Sequence, residues 1–470
     1  MNAKYLKLIV ILSGQLLTIM DIFIINVSIP SIQRDLHASN GEMQLMIASY
    51  LIGFASFLIT GGRMGDMFGR KKIFMIGLIF FMLSSAACGI SSGSAFLVIS
   101  RFVQGISAAL MSPQVLSMIQ ILFSGHEERS KAMGWYGITI GGGTILGQFL
   151  GGYFSSMTFM EESWRLIFLI NVPICLLALL FSRKILAESK ISDGKNTFDF
   201  FGVIVLAAGL FGFTYALTMS EHGIQPVNIL FIVLSISVLI YFIKNQKMRL
   251  QNRKSYLIDF SLFGYKNFNL GILAVSFFFI MLDSYFYILS LFFQDGLQIG
   301  SMAAGEIIVF QGLGFILASL FSAKLILRYG KVFLVSGLSL IMAVLILQIF
   351  LFDKGTPFSV LCLLLFFHGV GVGSIIPSLA NIALTGLPQK LAGNASGVYN
   401  TFQQTAAIMG IIVVGSIFYY FLGTKPFPKD YHHAFSIAVA VNIVCLIIVL
   451  YSITKVPEYI LPTRKDLNSH

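Results

Sequence analysis

Residues 62–72 read Gly62-Arg63-Met64-Gly65-Asp66-Met67-Phe68-Gly69-Arg70-Lys71-Lys72. Five of these eleven residues are charged. The runs on either side, 43–62 and 73–91, are apolar and carry no charge at all. Each run is close to the roughly 20 mostly apolar residues that a helix needs to cross a bilayer. The stretch therefore reads as a tight, basic connection between two membrane spans. Its glycines let a short chain turn sharply and let helix ends approach closely.

The rest of the 470 residues extends that reading. Apolar residues make up 57% and charged ones 11%, against about 25% charged in soluble domains, and mean hydropathy is +0.87. A soluble enzyme, a secreted disulfide scaffold and a disordered chain are excluded. Cys88, Cys175, Cys362 and Cys445 all sit in apolar runs, with no CxxC pair and no Cys/His cluster, so neither a disulfide framework nor a metal site is expected. Hydropathy places fourteen candidate spans at about 7–30, 43–62, 73–91, 95–121, 133–154, 165–182, 200–219, 227–243, 268–292, 303–323, 331–351, 358–380, 396–421 and 433–454. The first is not read as a cleaved signal, because it is too long, has Asp21 in its middle and is followed by no small-residue cleavage site.

Basic residues orient the spans. With both termini cytoplasmic, all but six of the 31 Lys and Arg face inward. The exceptions are Arg34, Arg165, Lys354, Lys425 and Lys429 at the outer side and Arg101 within a span. The net charge of +11 is then an orientation signal and a contact with lipid headgroups, and no nucleic-acid partner is expected.

A repeat lies in the chain at a spacing of about 262 residues. Asp21 and Ser28 match Asp283 and Ser290. Asp66–Arg70 matches Leu327–Lys331, and Gly105 and Pro113 match Gly369 and Pro377. Gly134, Gly147 and Gly152 match Gly397, Gly410 and Gly415. The expected fold is all-α and polytopic. It comprises a six-helix bundle over 1–190, an inserted two-helix hairpin with cytoplasmic flanks over 191–262, and a second six-helix bundle with a short tail over 263–470. Parallel repeats of this kind are a transporter design, with substrate expected near the midplane between them.

Four motifs carry a family resemblance. Residues 62–72 resemble the G-x-x-x-D-[RK]-x-G-R-[RK] signature of the major facilitator superfamily, with Met67 where a basic residue is usual. Arg101-Phe102-Val103-Gln104-Gly105-Ile106-Ser107-Ala108-Ala109 resembles the family's R-x-x-Q-G-x-x-A-A motif. Leu17–Asp21 with Asn26–Pro30, and Trp164–Pro173, are similar to first- and sixth-helix motifs of its 14-spanner drug:proton antiporters. Gly134, Gly143, Gly147, Gly151 and Gly152 follow the antiporter motif G-x8-G-x3-G-P-x2-G-G, except that Gln148 replaces the proline.

The site residues follow from cost and position. Ionisable groups inside a bilayer are expensive and rare. Asp21 is the deepest, and burial penalises its charged form, as a group that loads and releases a proton requires. Arg101 is its natural partner, a static ion pair being the plainer alternative. Asp283 has three open roles: holding a cationic substrate, carrying a second proton, or capping a packing contact. Gly62, Asp66, Gly69 and Arg70 form a candidate conformational latch, with Asp66 accepting from a helix N-terminus or pairing with Arg70. Gly143, Gly147 and Gly151 share one helix face, which makes the fifth-span glycines a candidate packing motif. Asn26, Gln104, His368, Asn400, Gln403 and Gln404 are candidate cavity residues, their uncharged amides suited to neutral or mixed substrates.

The resemblance implies a proton-coupled secondary exporter of drug-like or amphipathic small molecules in the cytoplasmic membrane. It would work by alternating access, with protons and lipids as its other partners and no cofactor beyond the proton gradient. A dedicated exporter of one metabolite, amino acid or lipid is the alternative. An integral-membrane enzyme is remote, since the seven histidines are scattered and no HExxH occurs. No G-x-x-x-x-G-K-[ST] loop is present to bind ATP.

Overall fold

The structure, a computed structural model, describes residues 3–123, 126–157, 162–188, 199–218, 225–252, 254–384, 387, 392–423 and 427–456. The chain divides into two compact units, Met1–Ile258 and Asp259–His470. The expected bundle boundary at 190/191 lies outside the described residues.

The first unit holds α1 (Ala3–Asp35), α2 (Asn40–Phe68), α3 (Arg70–Gly89), α4 (Ser94–Leu122) and α5 (His126–Ser155). It continues with α6 (Ser163–Ile185), α7 (Phe200–Thr218) and α8 (Pro226–Gln251). The second unit holds α9 (Lys266–Gly296), α10 (Ser301–Tyr329), α11 (Lys331–Leu351) and α12 (Phe358–Leu384). Its last two helices are α13 and α14. α13 runs Ala392–Met409, makes a π-turn at Gly410–Val414 and resumes as Gly415–Leu422; α14 is Pro428–Thr454.

Every expected span falls on one of these rods. Among the described residues, twelve are long and apolar enough to cross a membrane. The two that fall short are α5 and α7. α5 opens on the charged His126-Glu127-Glu128-Arg129 and carries eight glycines, which thin its apolar content, whereas α7 is apolar but short.

The connection at 62–72 is tighter than expected. α2 stays helical through Phe68 and α3 begins at Arg70, so a single residue, Gly69, makes the turn at φ 103°. A side chain at that φ is strained, which is why glycine stands there. Gly330, its repeat partner, turns α10 into α11 in the same way at φ 54°.

Two close approaches fix the first unit. A Cβ on Gly105 of α4 would strike the Tyr50 carbonyl of α2, and one on Gly53 of α2 would meet the Phe102 carbonyl of α4. α1 and α5 are matched likewise: a Cβ on Gly147 would lie 2.7 Å from Met20 O, and one on Gly151 would strike Ile24 O. Ser28 then reaches across α1–α5 to Gly151 O (3.3 Å) and receives Ser155 Oγ (2.8 Å). Gly143 packs on Ile19, and Gly152 is buried. Gly134 departs from the expected packing face. A Cβ there would meet nothing within 4 Å, because its stretch of α5 is exposed. In the second unit, Gly410 meets the Ile280 carbonyl, and Gly369 the Gln311 carbonyl.

Within the first unit α7 and α8 pair as a hairpin, with α7 against α2. Its apolar residues Ile229, Leu230, Val233, Leu234 and Ile240 are about half exposed, the surface of a lipid-facing helix. A buried polar clasp closes its base. Asp199 accepts from Gly202 N (2.9 Å), pairs with Arg249 (3.1 Å) and accepts from Gln246, whose Oε1 holds Leu257 N (2.6 Å).

Gly105→Ala forces its new methyl against backbone that cannot swing aside. It is expected to cost about 1–3 kcal/mol, while Gly134→Ala stays within about 0.5 kcal/mol of the parent. Thermal unfolding of both variants in one detergent checks the contrast; equal losses would contradict the close-packing account.

Candidate functional site

Asp21 sits in the middle of α1 with no solvent exposure, and Arg101 of α4 pairs with it at 1% exposure. Arg101 Nη1 meets Asp21 Oδ2 and also donates to Gln104 Oε1 (2.8 Å). Gln104 Nε2 donates to Asp21 Oδ1 (2.8 Å), and Asn171 Nδ2 of α6 donates to the same oxygen (2.9 Å). Both amides also donate to Ser85 Oγ of α3, at 3.1 and 3.0 Å, and Ser85 donates to the Phe168 carbonyl (2.9 Å). Cys88 Sγ lies 3.6 Å from Gln104 Oε1.

The local sequence explains this convergence. Residues three apart on a helix face the same way, so R-x-x-Q in α4 presents a guanidinium and an amide side by side. Gly105, next in the motif, lets α2 come close enough for the Tyr50 ring to lie 4.3 Å beneath the Arg101 guanidinium carbon. A ring face attracts a desolvated cation, and the Tyr50 hydroxyl is turned away, 3.5 Å from Thr18 O. The sixth-span motif does similar work. Arg165 donates to the Gly89 and Ser91 carbonyls at the end of α3 (3.1 and 2.6 Å) and lies 4.7 Å over the Trp164 ring. That anchor sets the height of Asn171, which opens the helical segment Asn171–Ile185. Ser91 belongs to a Gly89-Ile90-Ser91-Ser92-Gly93 string, but its hydroxyl only donates to Cys88 O (2.8 Å) in the turn after α3.

A buried ion pair is held by its extra hydrogen bonds as much as by Coulomb attraction. Here the carboxylate accepts from three side chains, whereas Arg101 Nε has no partner among the described residues.

The other expected site residues are placed as follows. Asn26 is buried on α1. Gln104 is fully buried as part of the Asp21 network, so it does not line an open surface in this conformation. His368 is also fully buried. It stacks on Tyr285 (4.3 Å) and meets Gln311 Nε2 through Nδ1 (2.9 Å), while Tyr285 donates to Gln348 (3.0 Å). Asn400, Gln403 and Gln404 share one half-buried face of α13. Asp283 does not reach this second cluster: its Oδ2 is buried without a hydrogen-bond partner among the described residues. Gln148 is buried, and neither amide atom has a hydrogen-bond partner among the described residues. No group of three or more metal-ligating side chains occurs among the described residues.

At the candidate latch, Gly62 lies against Pro113 (3.6 Å to an added Cβ), Arg70 is buried, and the Asp66 side chain lies outside the described set. The first N–H groups of α3, on Lys71 and Lys72, are taken by Glu188 beyond α6, each at 3.1 Å. Sequence reading missed Glu188 because it lies in a charged flank. It also missed Asn171, although that residue lies inside a quoted motif. Gln311 was findable, since it stands 261 residues after Tyr50, the offset of the 62–72 repeat.

Residues 11–411 match the model of the Major Facilitator Superfamily, as does a second stretch, 273–467. The chain belongs to the major facilitator superfamily. Its major facilitator relatives include the probable actinorhodin transporter of Streptomyces coelicolor, 29% identical over 90% of this chain and 74% of that protein. The puromycin resistance protein pur8 of Streptomyces alboniger is 30% identical over 88% and 82%. Multidrug resistance protein Stp of Mycobacterium tuberculosis is 25% identical over 88% and 76%. Among solved structures the fold is similar to a D-xylose-proton symporter, with TM-score 0.70 over 98% of this chain and 99% of that one, at 16% identity. The chain is thus a multi-pass membrane transporter of small molecules and not an enzyme.

Removing one member of the buried pair strands the other. Arg101→Gln and Asp21→Asn are each expected to lose up to about 3–5 kcal/mol, and the double variant less than the sum of the two. Unfolding of the four proteins in detergent measures the coupling; strict additivity would contradict a direct pair.

Proposed function

We propose that this transporter is a proton-coupled antiporter that exports drug-like, amphipathic small molecules by alternating access. The observation that carries the proposal is the Asp21–Arg101 pair, buried in a span and held by neutral amides. A carboxylate so placed has a use for both its charged and its neutral form. Charged, it holds Arg101 and the donors around it. Neutral, it releases the guanidinium, and the relative stability of two conformations changes with it. Relatives named for antibiotic transport and multidrug resistance support the direction and the substrate class. In this reading all fourteen helical rods cross the cytoplasmic membrane and both termini are cytoplasmic, as the basic residues ask. The hairpin of 191–262 stands outside the transport path. Gly62, Asp66, Gly69 and Arg70 latch one state, and Asp283 and the Asn400, Gln403 and Gln404 face serve substrate.

A dedicated exporter of one metabolite is the second reading. It is favoured by the relative named for a single compound, actinorhodin, and by the uncharged character of the α13 face.

Growth-inhibition panels in an efflux-deficient host, with and without a protonophore, separate the two readings. Protection against several unrelated compounds, lost with the protonophore, is the expected result; protection against one compound supports the second reading. In proteoliposomes under an imposed pH gradient, Asp21→Asn is expected to bind substrate but to lose uphill transport. Accumulation at near the parent rate would place the proton elsewhere, with Asp283 the first residue to examine.

A further inference from the structure

The partners of Asp21 all donate. Arg101 Nη1 serves Oδ2, while Gln104 Nε2 (2.8 Å) and Asn171 Nδ2 (2.9 Å) serve Oδ1. The arrangement suits the carboxylate alone. A protonated Asp21 carries an O–H that needs an acceptor, and a buried O–H without one is costly. The cluster offers three oxygens. Gln104 Oε1 already receives Arg101 (2.8 Å) and Cys88 (3.6 Å). Ser85 Oγ already receives both amides. Asn171 Oδ1 is buried and has no partner among the described residues.

An amide's two ends have nearly the same shape, and half a turn about its last torsion exchanges them. We propose that Asn171 is the positioning residue that registers the proton on Asp21, its Nδ2 donating to the carboxylate and its Oδ1, after that half-turn, accepting from the acid. This rests on the reading of Asp21 as the coupling group. The proton arrives from water on whichever side the site is open to and binds a carboxylate oxygen; no other covalent bond changes. The half-turn also brings Oδ1 towards Ser85, whose hydroxyl then leaves the Phe168 carbonyl to donate to it. Phe168 and Asn171 flank the joint at Ile170, between the helical segments Leu166–Leu169 and Asn171–Ile185. Proton loading is thereby passed to the backbone of α6, at the Phe168 carbonyl, by the loss of one hydrogen bond.

The charged and titratable groups around Asp21 and Asn171 come from several helices: Arg101 on α4, Tyr50 on α2, Cys88 on α3 and Cys175 on α6, one turn beyond Asn171.

Infrared difference spectra of the purified parent, between alkaline and acidic buffer and with isotope-labelled asparagine, test the switch without relying on a variant's fold. Two bands are expected to change with one midpoint: a carboxyl band lost in Asp21→Asn, and an asparagine amide band lost in both Asp21→Asn and Asn171→Leu. If the Asp21-dependent carboxyl band titrates and no asparagine band moves with it, the switch is overturned and the coupling role of Asp21 stands. If no Asp21-dependent carboxyl band appears, both are overturned. In proteoliposomes Asn171→Leu is expected to move the midpoint of the pH dependence of uphill export by about one pH unit or more. A residue that only packs would lower the yield and leave that midpoint where the parent has it.

Discussion

A carboxylate and a guanidinium meet where water does not reach, and the first unit is arranged around the cost of keeping them there. Asp21 and Arg101 come from helices 80 residues apart and are almost fully buried. Leaving either alone in that setting is severe. Much of the surrounding sequence lowers the cost: Gln104 one turn along α4, Asn171 at a joint in α6, Ser85 linking the two amides, and the Tyr50 face under the guanidinium. Gly105 belongs to the same solution, because without its missing side chain α2 could not bring Tyr50 within reach.

The second unit repeats the scaffold and changes the chemistry. Gly330 turns the chain as Gly69 does, and Gly410 accepts a carbonyl of α9 as Gly147 accepts one of α1. At the level of the ion pair it carries different groups: His368 at the repeat position of Gln104, stacked on Tyr285 and bonded to Gln311. Asp283, the repeat partner of Asp21, is half-buried, and its Oδ2 has no hydrogen-bond partner among the described residues. Two copies of one framework thus hold an Asp–Arg network in one case and a Tyr–His–Gln network in the other. A π-turn at Gly410–Val414 interrupts α13 and has no counterpart in α5.

The legible parts of the molecule are those that leave a periodic or local trace. Apolar runs place every helical rod, and the 261-residue offset pairs Gly69 with Gly330, two glycines that share a positive φ. Asp21 and Arg101 stood out because charge is rare inside a span. The harder parts are polar contacts that span the sequence without a local mark. Asn171 reaches back 150 residues to Asp21, and nothing near it says so. Glu188 and Asp199 looked like members of a charged flank. In the structure the first caps α3, and the second is buried under Gln246 and Arg249. Gly134 erred the other way: it fits a spacing motif, but its surroundings are open.

If Asp21 trades its proton for substrate, the exchange is visible without transport. Adding an exported lipophilic drug to the purified parent in weakly buffered solution should acidify the medium as the acid form of Asp21 gives up its proton. The same addition to Asp21→Asn should release none. A parent that binds the drug with no proton release, or an Asp21→Asn variant that releases as much as the parent, would contradict the assignment.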